Sequence, residues 1–121
     1  MSNKKTLVLG ASENSERYSN LAVKKLLAYQ HTVVALGKRE GKIGDVQIET
    51  EKQAFDNIDT VTLYMNPMHQ QEFYDYILSL HPKRIIFNPG TENDELVALA
   101  KQKGIYTQEA CTLVLLSTGQ Y

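Results

Sequence analysis

The sequence predicts a single-domain, doubly wound α/β sandwich of the Rossmann-like kind, with a parallel sheet covered on both faces. Three observations carry that expectation. Short apolar runs rich in β-branched residues alternate with helical stripes along the whole chain. The first run breaks at Gly10 and opens through small polar residues and Arg17 into a helix. A chain of 121 residues is long enough for one core and too short for a second catalytic domain.

Taken in order, Thr6–Gly10 reads as the first strand, and Tyr18–Tyr29 as a helix with apolar residues at 18, 21/22, 26 and 29 and lysines on its outer face. Thr32–Leu36 is the second run. Gly37-Lys38-Arg39-Glu40-Gly41-Lys42-Ile43-Gly44, with three glycines and three bases, reads as a loop. Val46–Ile48 is a short strand and Thr50–Asn57 a short helix. Thr60–Tyr64 is a β run. Asn66 then supplies an N-cap and Pro67 the first helical position of a helix running to about Leu80.

Ile85–Phe87 is another buried run, ending at Asn88-Pro89-Gly90. Thr91, with Asp94 three residues on, reads as a capping arrangement for a helix that stops at Lys103-Gly104. Ile105–Thr107 is a further strand, and Leu113–Leu116 reads as either a strand or a terminal helical turn. Strands and helices alternating in this way imply right-handed crossovers, with the ligand at the carboxyl ends of the strands. Four loops meet there: Gly10–Arg17, Gly37–Gly44, Tyr64–Pro67 and Asn88–Thr91.

Composition narrows the function classes. With 42% hydrophobic and 22% charged residues, the chain resembles an ordinary globular protein, and a net charge of −1 gives no global attraction to nucleic acid or an anionic membrane. Any anion site must be local. One cysteine, Cys111, excludes an intrachain disulfide and a multi-cysteine zinc site, and His31, His69 and His81 have no metal-ligand spacing. The polar start Met1–Lys5 lacks a signal peptide's apolar region, and no apolar run approaches the roughly 18 residues of a membrane span. A cytoplasmic protein with a small-molecule nucleotide ligand is expected, with no nucleic-acid or membrane partner. A protein partner or homo-oligomer stays open, since Tyr74 and Tyr76 mark either an oligomer face or simple amphipathicity.

The first loop is not the full dinucleotide fingerprint: Ser12 and Ser15 stand where G-x-G-x-x-G requires glycine. Gly10 allows a tight turn, the serines offer hydroxyl donors or a helix cap, and Arg17 offers a fork of charged donors. The second loop reads Leu36-Gly37-Lys38-Arg39 with Lys42 behind it, where an NAD site presents an acid to the ribose. Bases there suit a phosphorylated adenosine, either the 2′-phosphate of NADP or the 3′-phosphate of coenzyme A.

The pattern Gly10-Ala11-Ser12…Arg17, followed by Lys38, Lys42 and Gly44, resembles the stand-alone CoA-binding protein family, which is similar in fold to the CoA-binding domain of the succinyl-CoA synthetase alpha subunit. The resemblance continues through Asp59-Thr60-Val61, Asn66-Pro67, Pro89-Gly90-Thr91-Glu92-Asn93, the Ala100…Gly104 helix end and Cys111. It implies that Gly10, Ala11 and Ser12 line the diphosphate and that Arg17 is the family's loop arginine. It also implies that the turn with Lys38 and Lys42 receives the adenosine and its 3′-phosphate. Asn66 and Pro67 would flank adenine or pantetheine, with Asn88, Pro89 and Gly90 farther along the strand ends. The chain departs from the family's usual Val-Asn-Pro at Leu36-Gly37-Lys38, from its usual glutamine at Asn88-Pro89, and from its polar tail after Cys111.

No Ser-His-Asp or Cys-His spacing and no paired carboxylates mark a reacting centre, and there is no room for the synthetase's ligase domain. Cys111 is either a small buried hydrophobe or a thiol placed near that of CoA. The expectation is therefore non-catalytic binding of coenzyme A or an acyl-CoA, as a carrier, sensor or regulatory module. Two alternatives stand beside it: an NADP-binding oxidoreductase or accessory domain, and an interaction protein whose nucleotide site has decayed.

Overall fold

The computed structural model describes residues 3–121, so the first two residues of the polar start lie outside it. Seven strands form one sheet in the order β3-β4-β2-β1-β5-β6-β7. The strands are β1 (Thr6–Leu9), β2 (Val33–Leu36), β3 (Gly41–Ile43), β4 (Val46–Glu49), β5 (Thr60–Leu63), β6 (Arg84–Phe87) and β7 (Tyr106–Glu109). Six run parallel, and without β3 their order is the doubly wound one, with the switch point between β1 and β5. Strands β1, β5 and β6 are buried throughout, as strands covered on both faces should be.

Two cores sandwich the sheet. On one face α1 (Tyr18–Ala28) and α5 (Thr112–Ser117) cover Val8, Ala35, Ile43 and Ile48 with Val23, Leu26 and Leu116. On the other, α3 (Tyr74–Ser79) and α4 (Asp94–Gln102) cover Leu7, Leu9, Leu63, Ile85 and Phe87 with Ile77, Leu96 and Ala100. Gly104, at φ +71°, ends α4 in the left-handed conformation that its position suggested.

Several local expectations are corrected. The segment 37–44 is not all loop: Gly41–Ile43 pairs antiparallel with β4, so the sheet is not purely parallel. Gly44 at φ +59° allows the tight turn between Ile43 and Val46, both of which bury their side chains. The helix expected over Thr50–Asn57 does not form. Its sequence offers no apolar stripe beyond Phe55, and a segment this short has little helical stability without one. It is instead strapped down by Lys5 Nζ donating to the Asp56 carbonyl and by Tyr76 Oη donating to the Gln53 carbonyl.

The helix expected from Pro67 to Leu80 is divided into α2 (Pro67–Gln70), a 3₁₀ turn (Gln71–Phe73) and α3. The division falls at Gln70, whose buried side chain donates to the carbonyls of Met65 and Thr91 and accepts from Asn93. Tyr74 and Tyr76 do not form an exposed face: both are half-buried, and Tyr74 Oη accepts from Asn93. Asn93, not Thr91, caps α4, its Oδ1 accepting from the amides of Glu95 and Leu96. Leu113–Leu116 is helical, within α5.

Candidate functional site

The switch point opens at Gly10. Its φ of +98° and its close approach to the next strand both demand glycine, because a Cβ would lie 3.0 Å from the backbone carbonyl of Tyr64. The amides of Gly10 and Ala11 both donate to the Leu36 carbonyl, at 2.9 and 2.8 Å, and the Tyr64 amide donates to the Leu9 carbonyl at 2.8 Å. The first two amides of the loop are thus consumed in joining the ends of β1 and β2. The amides of Ser12, Glu13 and Ser15 have no acceptor among the described residues. They are the donors left for an anion.

Side chains shape this loop from within and from behind. Ser12 Oγ accepts from the Asn14 amide at 3.1 Å, and Asn14 Oδ1 accepts from the Glu16 amide at 2.9 Å. Neither Ser12 nor Ser15 caps α1, whose N-cap position is Arg17 without a side-chain cap. The Ser12 hydroxyl, already an acceptor, keeps its proton for another partner. From α1, the buried Asn20 donates through Nδ2 to the Ser12 carbonyl at 3.0 Å, and its Oδ1 has no partner. No motif singles out Asn20, although a polar residue on the buried side of a helical stripe is a usable signal.

The second loop docks on the first. A Cβ on Gly37 would overlap the carbonyl oxygen of Ala11 and lie 2.9 Å from Ile48 Cγ2. Beyond Gly37, Lys38, Arg39 and Lys42 are exposed, as is Arg17 across from them. Among the described residues, these four cations make no ion pair or side-chain hydrogen bond, the sole ion pair being Lys5–Asp56 at the opposite end of the sheet. The Lys42 amide donates to Glu13 Oε2 at 2.8 Å, a direct bond from the first loop to β3.

The remaining expected residues have other occupations. Asn66 Oδ1 accepts from the His69 amide at 3.0 Å, and Pro67 holds the first helical position, the cap that the dipeptide suggested. Asn88 is buried and its side chain is fully engaged within the fold. Its Nδ2 donates to Thr62 Oγ1 and the Leu63 carbonyl, and its Oδ1 accepts from the Thr112 amide. It ties β5, β6 and α5 together beneath the strand ends. Pro89 and Gly90 are exposed, with the Gly90 amide donating to Glu92 Oε1.

Tyr64 lies directly after β5, with a buried hydroxyl that has no hydrogen-bond partner. Burial, outweighing the neighbouring Thr112 and Thr62 hydroxyls, pushes its phenol up to about 12, so it stays protonated at neutral pH. Cys111 is half-buried at the start of α5. The described residues contain no group of three or more His, Cys, Asp or Glu placed to hold a metal, and no helix long and apolar enough to cross a membrane.

Two hollows lie away from these loops. One, of about 230 Å³, lies over β2 and β4 beside Phe55, where the segment after β4 is not helical. The other, of about 620 Å³, lies at the amino ends of the strands near Lys5, Asp59 and His81. Donor chemistry marks the loop cluster as the candidate site.

Residues 4–117 match the family described as CoA binding domain. No curated protein matches the chain. The chain is similar to the crystal structure of an uncharacterized protein at 45% identity, covering 100% of both chains with a TM-score of 0.97. It is similar in fold to a hypothetical protein from Pyrococcus horikoshii OT3, at 22% identity over 96% of this chain and 83% of that one, with a TM-score of 0.87. The fold also resembles part of a 3-ketoreductase from Actinomadura kijaniata in complex with TDP-benzene and NADP. That match has 18% identity and a TM-score of 0.61, covering 86% of this chain and 37% of that one.

Proposed function

This chain belongs to the CoA binding domain family, and from that premise we propose that it binds coenzyme A or an acyl-CoA at the β1–β5 switch point, without catalysing a reaction on it. The observation that carries the reading is the grouping of unclaimed donors. The amides of Ser12, Glu13 and Ser15 stand on the loop that Gly37 packs against, and this loop and the segment after β2 carry four exposed cations without an ion pair among the described residues. The diphosphate sits on the first loop, with the Ser12 hydroxyl and Arg17 as further donors. The 3′-phosphate faces Lys38 and Lys42. The Asn66–Pro67 turn flanks the adenine or pantetheine, and Pro89–Gly90 lies farther along the strand ends. Asn88 supports this edge from below and does not itself touch the ligand.

A carrier, sensor or regulatory role suits a site of this kind, since the cradle holds donors and cations but no group poised as nucleophile or base. The competing reading is an NADP site, suggested by the 3-ketoreductase likeness; at 18% identity that likeness concerns the fold. Thermal-shift titration with CoA, NADP, NAD and ADP separates the two, because a ligand that binds the folded state raises the melting temperature. CoA is expected to give the largest shift. Stabilisation by NADP and not by CoA would overturn the proposal, and no response to any of the four would favour a decayed site in an interaction protein.

A further inference from the structure

Hairpin β3–β4 carries the exposed Lys42 and is bonded through its amide to the first loop, yet β3 is an edge strand of three residues with one paired side. Its far end is secured by the buried Ile43 and by Gly44, whose Cβ position faces Leu27 Cδ1 at 3.7 Å. Its near end, Gly41–Lys42, pairs with Ile48 and Gln47 on one side and meets a side chain of the phosphate loop on the other. Glu13 Oε2 accepts the Lys42 amide at 2.8 Å, and the Glu13 side chain fills the space where any Cβ on Gly41 would stand, with Oε1 2.6 Å from that position. A carboxylate among Arg17, Lys38, Arg39 and Lys42 lowers the local positive charge, a cost for an anion site. Here it is spent on one directional bond to the backbone, not on neutralising any of the four cations.

We propose that Glu13 is a positioning residue: it clamps the basic hairpin onto the phosphate loop, so that the free amides of the loop and the cations of the hairpin meet one phosphorylated ligand as a preformed pair. This rests on the CoA-binding reading above. The clamp works through geometry, because the Glu13 bond is made to an amide and holds whether or not the side chain carries charge. Gly41 is its second half, since a Cβ there would push the Glu13 carboxylate out of its place.

The test is calorimetric titration of coenzyme A into wild type, Glu13→Ala, Glu13→Gln, Gly41→Ala and the double variant Glu13→Ala/Gly41→Ala. Melting temperature and the hydrogen exchange of the Lys42 amide are followed in each. Glu13→Ala is expected to weaken CoA by up to about tenfold, the upper end for one hydrogen bond, and to speed exchange at Lys42. Glu13→Gln keeps an acceptor and is expected to bind CoA as tightly as wild type or more so. Gly41→Ala displaces the clamp without removing it, and the double variant should lose no more than Glu13→Ala alone. Unchanged or tighter CoA binding by Glu13→Ala, with the wild type binding normally, would overturn the clamp alone. Additive losses in the double variant, or an equal loss in Glu13→Gln, would also overturn it. A wild type that fails to bind CoA would instead sink the underlying functional reading, and the clamp's role with it.

Discussion

The carbonyl oxygen of Ala11 occupies the space that a Cβ would need on Gly37. The loops after β1 and β2 are therefore packed backbone to backbone, and the cradle depends on a missing side chain. Gly37→Ala must push the two loops apart or strain them, with Ile48 closing the other side. Overpacking of this kind costs about 1–3 kcal/mol. The variant is expected to melt several degrees lower and to bind CoA more weakly, whereas Gly90→Ala, with nothing within 4 Å of its Cβ position, disturbs only its own turn. Calorimetric melting and CoA titration of both variants check this; a Gly37→Ala protein that melts like wild type would contradict the packing argument.

Lys38 is exposed and free of any ion pair within the fold. Opposite a ligand phosphate it should act as a solvent-screened charge, worth at most about fivefold in affinity. Lys38→Ala is therefore expected to weaken CoA by that much and dephospho-CoA hardly at all, with the difference shrinking as salt is added. Paired titrations at low and high ionic strength measure it. Equal losses for both ligands would show that Lys38 does not read the 3′-phosphate.

Asn20 fixes the loop from below through its bond to the Ser12 carbonyl while leaving its own Oδ1 without a partner. Removing the whole amide takes away one bond and one orphaned acceptor together, so Asn20→Ala should change the melting temperature little. Its effect should fall on the loop, as weaker CoA binding. Asn20→Asp removes the donor and buries a carboxylate against a carbonyl, and is expected to be much less stable than Asn20→Ala. Thermal melting of the two variants side by side decides the matter; the reverse order of stability would refute it.

The legible parts of this molecule were those where a local rule and the tertiary structure agree. The strand–Gly10 break, the Asn66–Pro67 cap and the Gly104 helix stop each follow from backbone demands that one or two residues meet alone. Hairpin β3–β4 was hidden because three glycines and three bases read as loop, although Ile43 and Val46 flanking a glycine turn carried the signal. Segment 50–57 is not helical because Lys5 and Tyr76 hold it from outside, and nothing in its own sequence shows that. At the candidate site, residue types show which loops meet at the strand ends but not which of their groups the fold already engages. The amides of Gly10 and Ala11 are consumed by Leu36, and the Asn88 side chain is consumed by Thr62, Leu63 and Thr112. Contacts such as Glu13–Lys42 join residues 29 positions apart, and no local pattern records them.

At the amino end of the sheet, the surroundings of His31 make stability depend on pH. His31 is buried, and its Nδ1 accepts from the Lys4 amide at 3.0 Å, which requires a neutral ring protonated on Nε2. Burial first, then the positive charges of Lys4 and Arg84, hold its pKa below the ordinary histidine value, with Asp59 opposing weakly. Above about pH 6.5 the ring is neutral in both folded and unfolded chains, and it makes no pH-dependent contribution. As the pH falls through that value, the unfolded chain takes up a proton that the folded chain resists, so stability drops until the folded-state pKa is passed. Replacing His31 with glutamine keeps a hydrogen-bonding side chain and removes the titration. Between about pH 7 and pH 5 the melting temperature of wild type should fall more steeply than that of His31→Gln. Parallel curves for the two proteins would show that His31 does not carry this dependence.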